Sequence, residues 1–154
     1  MKYMISFAGK SKPSSEEEII TKKYLRRLSN IIINPCEVKT KNLELRLKEE
    51  GSKLIKLTPS NGKLILLDEQ GTNFSSNELA DIVSDWEDSN FSTINFVIGG
   101  AYGNGKEIKE KADKTLALGR LTWPHQMVKM MVAEQVYRID TILRGHPYHK
   151  FVLQ

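Results

Sequence analysis

The chain has 154 residues, 40% of them hydrophobic and 27% charged, with a formal net charge of +4. That length suits one compact domain, the composition excludes wholesale disorder, and no apolar run reaches the roughly 18 residues that span a bilayer. The charge is uneven, with a net +6 over residues 1–60, −5 over 61–118 and +3 over 119–154. Basic ends on one small domain point to a polyanionic partner, and they equally describe a solvated surface of uneven charge. Met1 to Lys10 is too short and too soon charged to read as a secretory signal. The single cysteine, Cys36, can make neither an internal disulfide nor a metal site with other thiols, so the expected location is the reducing cytoplasm.

Strand-like and helix-like segments alternate along the chain. Tyr3 to Phe7 reads as a first strand, ended by Ala8-Gly9-Lys10. Ser14-Ser15 before Glu16-Glu17-Glu18 reads as a helix start, with a hydroxyl for the orphan N–H groups and carboxylates at the positive dipole end. Ile20, Tyr24 and Leu28 then share one helical stripe. Ile31-Ile32-Ile33 begins a second, less regular strand running toward Val38, and Asn42 to Leu57 reads as a helix that Gly51 weakens. Its apolar face is expected to carry Leu43, Leu47 and Leu54.

Leu64 to Leu67 is wholly apolar and closed by Asp68-Glu69-Gln70-Gly71, the pattern of a strand buried on both faces. Ser75-Ser76-Asn77-Glu78 fits a capping box, followed by Leu79, Ile82, Val83 and Trp86 at helical spacing. Ile94 to Ile98 is another buried strand, stopped by the cluster Gly99-Gly100-Ala101-Tyr102-Gly103-Asn104-Gly105. A short helix near Glu107–Ala112 and the stretch Leu116–Leu121 lead to a last helix opened by Thr122-Trp123-Pro124 and running to about Leu143. Such alternation implies a mostly parallel sheet covered on both faces. The last helix is apolar almost all round, which requires cover on every side. A subunit interface would supply that cover, as would a central position in a monomer's core.

Several groupings could carry chemistry. Glycines just past a buried strand let a ligand approach the backbone at the carboxyl edge of an open α/β sheet, although an ordinary turn has the same composition. The cluster is neither G-x-G-x-x-G nor a phosphate-binding lysine loop. Leu67–Gly71 and Leu118–Trp123 are further strand ends that could share the ligand. His125 lies in the first turn of the last helix, and Glu134 and Arg138 share a face of it. Arg144-Gly145-His146-Pro147-Tyr148-His149-Lys150 gathers groups suited to phosphate contact, base stacking and proton transfer, though it equally describes a frayed basic tail. Three histidines without a helical pair make a poor zinc signature, and no nucleophile elbow is present, so no metal and no covalent nucleophile are expected.

Taken in order, these pieces resemble the ribosomal RNA large subunit methyltransferase H family of small SPOUT enzymes, which methylate N3 of a pseudouridine in 23S ribosomal RNA. The resemblance rests on the strand closing at Leu67-Asp68, on Phe96-Val97-Ile98-Gly99-Gly100-Ala101-Tyr102-Gly103, on Leu121-Thr122-Trp123-Pro124-His125-Gln126-Met127, on Glu134-Gln135-Val136-Tyr137-Arg138 and on Arg144 to Lys150. It takes in nearly the whole chain, residues 1–154, as one domain, and Phe151 to Gln154 extends beyond the family's usual near-terminal Tyr-His.

The resemblance implies an α/β knot with a C-terminal deep trefoil, a homodimer, 23S ribosomal RNA as substrate within the large subunit or ribosome, and S-adenosylmethionine as cofactor. By position, the cofactor residues would be Leu67, Gly99, Leu118, Gly119, Arg120, Leu121, Thr122 and Trp123. His149, Tyr148 and Arg138 would serve catalysis, and Arg144, His146 and His125 would hold the RNA. A catalytically inert, dimeric RNA-binding α/β protein is the alternative from another class, and a flavodoxin-like redox domain lacks a clear flavin loop.

Overall fold

Five parallel strands form the sheet that the computed structural model places at the centre of this chain, described here for residues 1–150. The strands are β1 (Lys2–Ala8), β2 (Ile31–Cys36), β3 (Gly62–Thr72), β4 (Thr93–Ile98) and β5 (Lys114–Leu116), in the spatial order β2-β1-β4-β3-β5. The helices are α1 (Glu16–Leu25), α2 (Leu43–Leu57), α3 (Ser76–Asp88), α4 (Lys106–Lys111) and α5 (His125–Leu143). α1, α3 and α5 pack together on one face, and α2 and α4 cover the other. β4 is buried along its whole length, as an apolar strand between two helical layers must be.

The local signals act as their chemistry requires. Ser15 Oγ accepts from the Glu18 N–H at 3.2 Å, with three glutamates in the first turn of α1. Ser75 and Glu78 close a reciprocal capping box, each accepting the other's backbone N–H. β2 ends at Cys36 rather than continuing to Val38, and it is an edge strand, where the missing N–H of Pro35 is tolerated.

Three expectations need correction. The strand at Leu64–Leu67 extends to Thr72, and a short β5, hidden inside the polar run before Leu116, pairs beside it. The last helix starts at His125, with Pro124 as the residue before it: Pro124 is extended (φ −56°, ψ 141°) while its carbonyl accepts the Met127 and Val128 N–H groups. Nor are the apolar faces fully covered. Leu43 and Ile20 are exposed, and on α5 only Lys129, Val132, Ala133, Val136, Tyr137, Ile139 and Thr141 are buried, while Met130 and Met131 are half-covered.

Two polar features run through the interior. Ser6 donates to Asn95 Oδ1 at 2.8 Å and accepts from Asn34 Nδ2 at 3.3 Å, and Asn95 Nδ2 donates to Thr58 Oγ1 at 2.9 Å. This ladder ties β2, β1 and β4 to the end of α2 with its buried groups paired. The second is an ion pair. Lys129 of α5, 1% exposed, lies 2.5 Å from Glu18 of α1, with its Nζ 4.4 Å from the centre of the Phe7 ring. Neither charged atom has a further hydrogen bond among the described residues.

A buried charge left without its partner costs about 3–5 kcal/mol. Lys129→Met should therefore lower the unfolding free energy by that order, and the double variant Lys129→Met, Glu18→Gln should recover most of the loss. Urea denaturation checks both, and equal stability of Lys129→Met and wild type would contradict the pairing.

Candidate cofactor cavity and tail cluster

The carboxyl ends of β3 and β4 open into a cavity of about 470 Å³, within the ordinary size of a small-molecule site. Three chain segments wall it: the end of β3 from Leu67 to Gln70, the glycine loop from Ile98 to Asn104, and the segment from Leu116 to His125 with Val128 behind it. Ile98, Leu116, Leu118 and Val128 make the inner surface apolar.

The walls are fastened by side chains. Asn104 Nδ2 donates to the Leu67 carbonyl at 3.0 Å and to Asp68 Oδ2 at 3.0 Å, binding the glycine loop to the end of β3. Asp68 also accepts from the Gln70 N–H at 2.9 Å and faces Lys109 Nζ at 3.6 Å. Burial opposes ionisation of Asp68, but the hydrogen bonds from Asn104 and Gln70 and the Lys109 charge outweigh it, holding the carboxyl below its ordinary value. Thr122 Oγ1 donates to Glu69 Oε2 at 2.6 Å, and the Trp123 indole N–H donates to the Leu118 carbonyl at 2.9 Å, closing the third wall on itself.

His125 forms one corner of the cavity, its ring edge-on to Phe7 with centroids 6.0 Å apart. Burial, and then the positive charges of Lys129 and Lys12, push its pKa down against an opposing backbone contact with Gly99. The ring is therefore neutral at physiological pH. Its Nε2 and the neighbouring Gln126 Oε1 are buried with no hydrogen-bond partner among the described residues. Of the two only His125 lines the cavity, and an unpaired polar atom there is what a bound ligand or water would satisfy.

Of the residues expected to contact a cofactor, Leu67, Gly99, Leu118, Gly119, Leu121, Thr122 and Trp123 all line this one cavity. Arg120 does not; its side chain is exposed. His125 joins the cavity rather than the tail. Asn104 and Lys109 brace the cavity wall at Asp68 without having stood out in the sequence, because an asparagine between glycines is a generic turn signal and a lysine on a polar helix is unremarkable.

Arg138, Tyr148 and His149 gather elsewhere, on the second half of α5. Arg138 donates to Glu134 Oε1 through Nη2 at 2.6 Å and Nε at 3.1 Å, and Tyr148 donates to the same oxygen at 2.9 Å. Arg138 Nη1 lies 3.1 Å from His149 Nδ1. Arginine only donates, so Nδ1 is the acceptor in this contact. The Tyr148 ring packs edge-on to Tyr137 at 4.7 Å. Burial, followed by hydrogen bonding with Glu134 and Tyr24, raises the Tyr148 phenol well above its ordinary range, so it is a donor and not a base near neutral pH. Arg144 pairs with Asp140 at 2.8 Å, and His146 Nδ1 accepts the Tyr148 N–H at 3.2 Å.

None of Arg138, Arg144, His146, Tyr148 or His149 lines the cavity. Arg138 lies thirteen positions beyond His125 on the same helix, about 20 Å along the axis. Between the two lies a second groove of about 640 Å³, lined by Ile20, Tyr24, Phe74, Met130, Met131 and Glu134 among others. Among the described residues no group of three or more His, Cys, Asp or Glu could hold a metal ion, and no helix is long and apolar enough to cross a membrane.

A parallel α/β sheet with a cavity built from three loops at its carboxyl edge is a small-molecule-binding architecture, and the comparisons give its class. The family model described as "Predicted SPOUT methyltransferase" matches residues 1–149. The Ribosomal RNA large subunit methyltransferase H of Paramagnetospirillum magneticum is 38% identical over 152 residues, covering 97% of this chain and 99% of the relative. Its namesake from Chelativorans sp. is 49% identical over 105 residues, covering 68% of this chain and 60% of the relative. The chain belongs to the ribosomal RNA large subunit methyltransferase H family of SPOUT methyltransferases. Among solved structures, the SpoU methyltransferase AviRb from Streptomyces viridochromogenes in complex with AdoMet aligns with a TM-score of 0.47 at 12% identity, over 88% of this chain and 56% of that one.

The loop fastening makes a specific prediction at Gly99. A Cβ there would stand 2.1 Å from Asn104 Oδ1, so any side chain displaces the asparagine that ties the loop to β3. Gly99→Ala should weaken S-adenosylmethionine binding about tenfold, the worth of roughly one net hydrogen bond. Asn104→Ala should cost a similar amount, and combining the two should add little. Calorimetric titration of the four proteins checks this; additive losses would mean that Gly99 acts by some route other than Asn104.

Proposed function

We propose that this chain is an S-adenosylmethionine-dependent methyltransferase that methylates N3 of a pseudouridine in 23S ribosomal RNA, working in the cytoplasm as a homodimer. The observation that carries the reading is that seven of the eight residues the family resemblance marks for the cofactor line one cavity, in a chain that a relative of this family matches over 97% of its length. The cavity suits the cofactor. It offers the glycine loop as one wall, apolar walls for an adenine, carboxylates near the rim for a cationic sulfonium, and an unpaired His125 Nε2. An inert RNA-binding dimer would have no use for such a cavity.

When bound, S-adenosylmethionine supplies an electrophilic methyl group on sulfur. The protein's task is alignment and charge. Transfer to an imide nitrogen is an in-line displacement, so most of the acceleration comes from holding the acceptor against the donor. The acceptor N3 must give up its proton to solvent before the nitrogen attacks, and a fixed cation near the ring stabilises the anion that results. Arg138 is that cation: Glu134 holds it with two hydrogen bonds, and it in turn orients His149. His149 stands beside it to meet the base or its phosphate, the Tyr148 hydroxyl donates to Glu134 and so holds the carboxylate that orients Arg138, and Arg144 and His146 steer the RNA, while His125 lines the cofactor cavity instead.

Arg138, Tyr148 and His149 do not line the cavity of their own chain, so the reading places a partner's tail over it. The groove lined by Met130 and Met131, together with exposed Ile19 and Ile20, supplies the uncovered apolar surface that such a dimer would bury. The trefoil knot belongs to the same reading. The extra residues Phe151 to Gln154 lie outside the described residues.

Met131→Glu should shift the protein toward monomer in light scattering at micromolar concentration; an unchanged dimer would remove this groove from the interface. Arg138→Ala should reduce the methylation rate about a hundredfold, as the loss of one fixed donor does, with S-adenosylmethionine affinity within twofold of wild type. The rate should recover in part as pH rises and N3 ionises unaided. Mixed dimers of Arg138→Ala and Gly99→Val subunits should regain activity if one subunit's tail serves the other's cavity. No recovery on mixing would place both halves of the site in one chain.

A further inference from the structure

We propose that Tyr102 is a substrate-binding residue, the aromatic face on which the target pyrimidine of the RNA stacks as its edge enters the cofactor cavity. The inference rests on the function proposed above and adds a residue to it.

Tyr102 is 67% exposed. The other four tyrosines are buried or half-buried, and Tyr24, Tyr137 and Tyr148 pack against one another. No hydrogen bond, ion pair or ring contact engages the Tyr102 side chain among the described residues. The ring forgoes the stabilisation of burial and keeps both faces open to a flat partner.

The ring is displayed on a fastened support. Ala101 and Tyr102 form the tip of a turn closed by the Gly103 N–H donating to the Gly100 carbonyl at 3.1 Å, with Gly103 in the left-handed region at φ +82°. Immediately beyond, Asn104 ties the loop to Leu67 and Asp68. The loop is therefore pinned at its base while its tip projects at the cavity mouth, where Tyr102 is itself a lining residue.

The chemistry at that mouth needs such a surface. The acceptor nitrogen lies in the plane of its ring and must point at the donor, so the two faces of the base stand free to be stacked. The groups proposed to hold its edges are polar and come from α5 and the tail, while the cavity's apolar residues are occupied inside it. Tyr102 supplies a flat apolar face at the rim, with the 69%-exposed Leu121 on another wall of the same cavity. Exposed cations stand on the same two segments, Lys106 after the glycine loop and Arg120 beside Leu121, suited to the phosphates of a single-stranded or everted nucleotide. Aromatic stacking on extruded bases is the common mode of recognition in unpaired RNA.

The test compares full-length Tyr102→Ala, Tyr102→Phe and Tyr102→Trp, using 23S ribosomal RNA that lacks the methyl group, with cofactor affinity measured separately by calorimetry. Tyr102→Ala should lower kcat/KM for the RNA by about tenfold to a hundredfold, the range for losing one stacked base. S-adenosylmethionine affinity and oligomeric state should stay as in wild type. Tyr102→Phe and Tyr102→Trp should retain activity within about threefold, since stacking needs the ring and not the hydroxyl. Full activity in Tyr102→Ala would overturn the proposal. So would an equal loss in Tyr102→Phe, a matching fall in cofactor affinity, or dissociation of Tyr102→Ala into monomers, which would make Tyr102 a contact between copies. Wild-type protein that binds S-adenosylmethionine but transfers no methyl to this RNA would refute the parent function and the stacking role with it. Active wild type beside active Tyr102→Ala refutes the stacking role alone.

Discussion

The site depends on one backbone approach. Where β3 runs past Asp68 and returns to pair at Thr72, a Cβ on Gly71 would lie 2.8 Å from the Thr115 carbonyl carbon, closer than any side chain could sit. Glycine there lets β5 lie against the bent end of β3, with Leu116 level with both Leu67 and Thr72. That contact directs the chain after Leu116 across the carboxyl ends of β3 and β4. Without it, Leu118 to Trp123 would leave the sheet, and the cavity would lose its third wall.

The three walls are then held by polar side chains rather than by packing. Asn104 fastens the glycine loop, Thr122 fastens the third wall to Glu69, and Trp123 closes that wall on Leu118. Such hydrogen bonds leave the inner surface to backbone and small apolar groups, which is what a nucleoside needs: shape from the walls and recognition from peptide groups. Loops fixed in this way present a formed site before any ligand arrives, so less ordering has to accompany binding.

α5 serves both halves of the proposed reaction. Its first turn brings His125 to the cavity, its middle is anchored to α1 through the buried Lys129–Glu18 pair, and its last turns hold Arg138 against Glu134. A rigid helix keeps these groups about 20 Å apart and so cannot fold one onto the other within a chain. The half-covered Met130 and Met131 between them fit the view that a second copy closes that distance.

Much of this was legible in the sequence, because periodicity and capping are local. The apolar runs of β1, β3 and β4, the hydroxyl caps at Ser15 and Ser75, and the alternation of strand and helix all follow from short-range chemistry. The paired motifs around His125 and Tyr148 were enough to mark the family, since they are combinations of residue types in order. What only the tertiary structure decided is how these pieces meet. β5 has too few residues for a pattern, and its pairing is created by Gly71 at a distance of some forty residues in sequence. Lys129 reads as a surface charge until Glu18 is found beneath it. The tail and the cavity look like one site in sequence and occupy two places in the fold. The physical reason is common to all three: side-chain type and spacing determine an element, but contacts between distant segments depend on where backbone, charge and bare glycine come to lie in space.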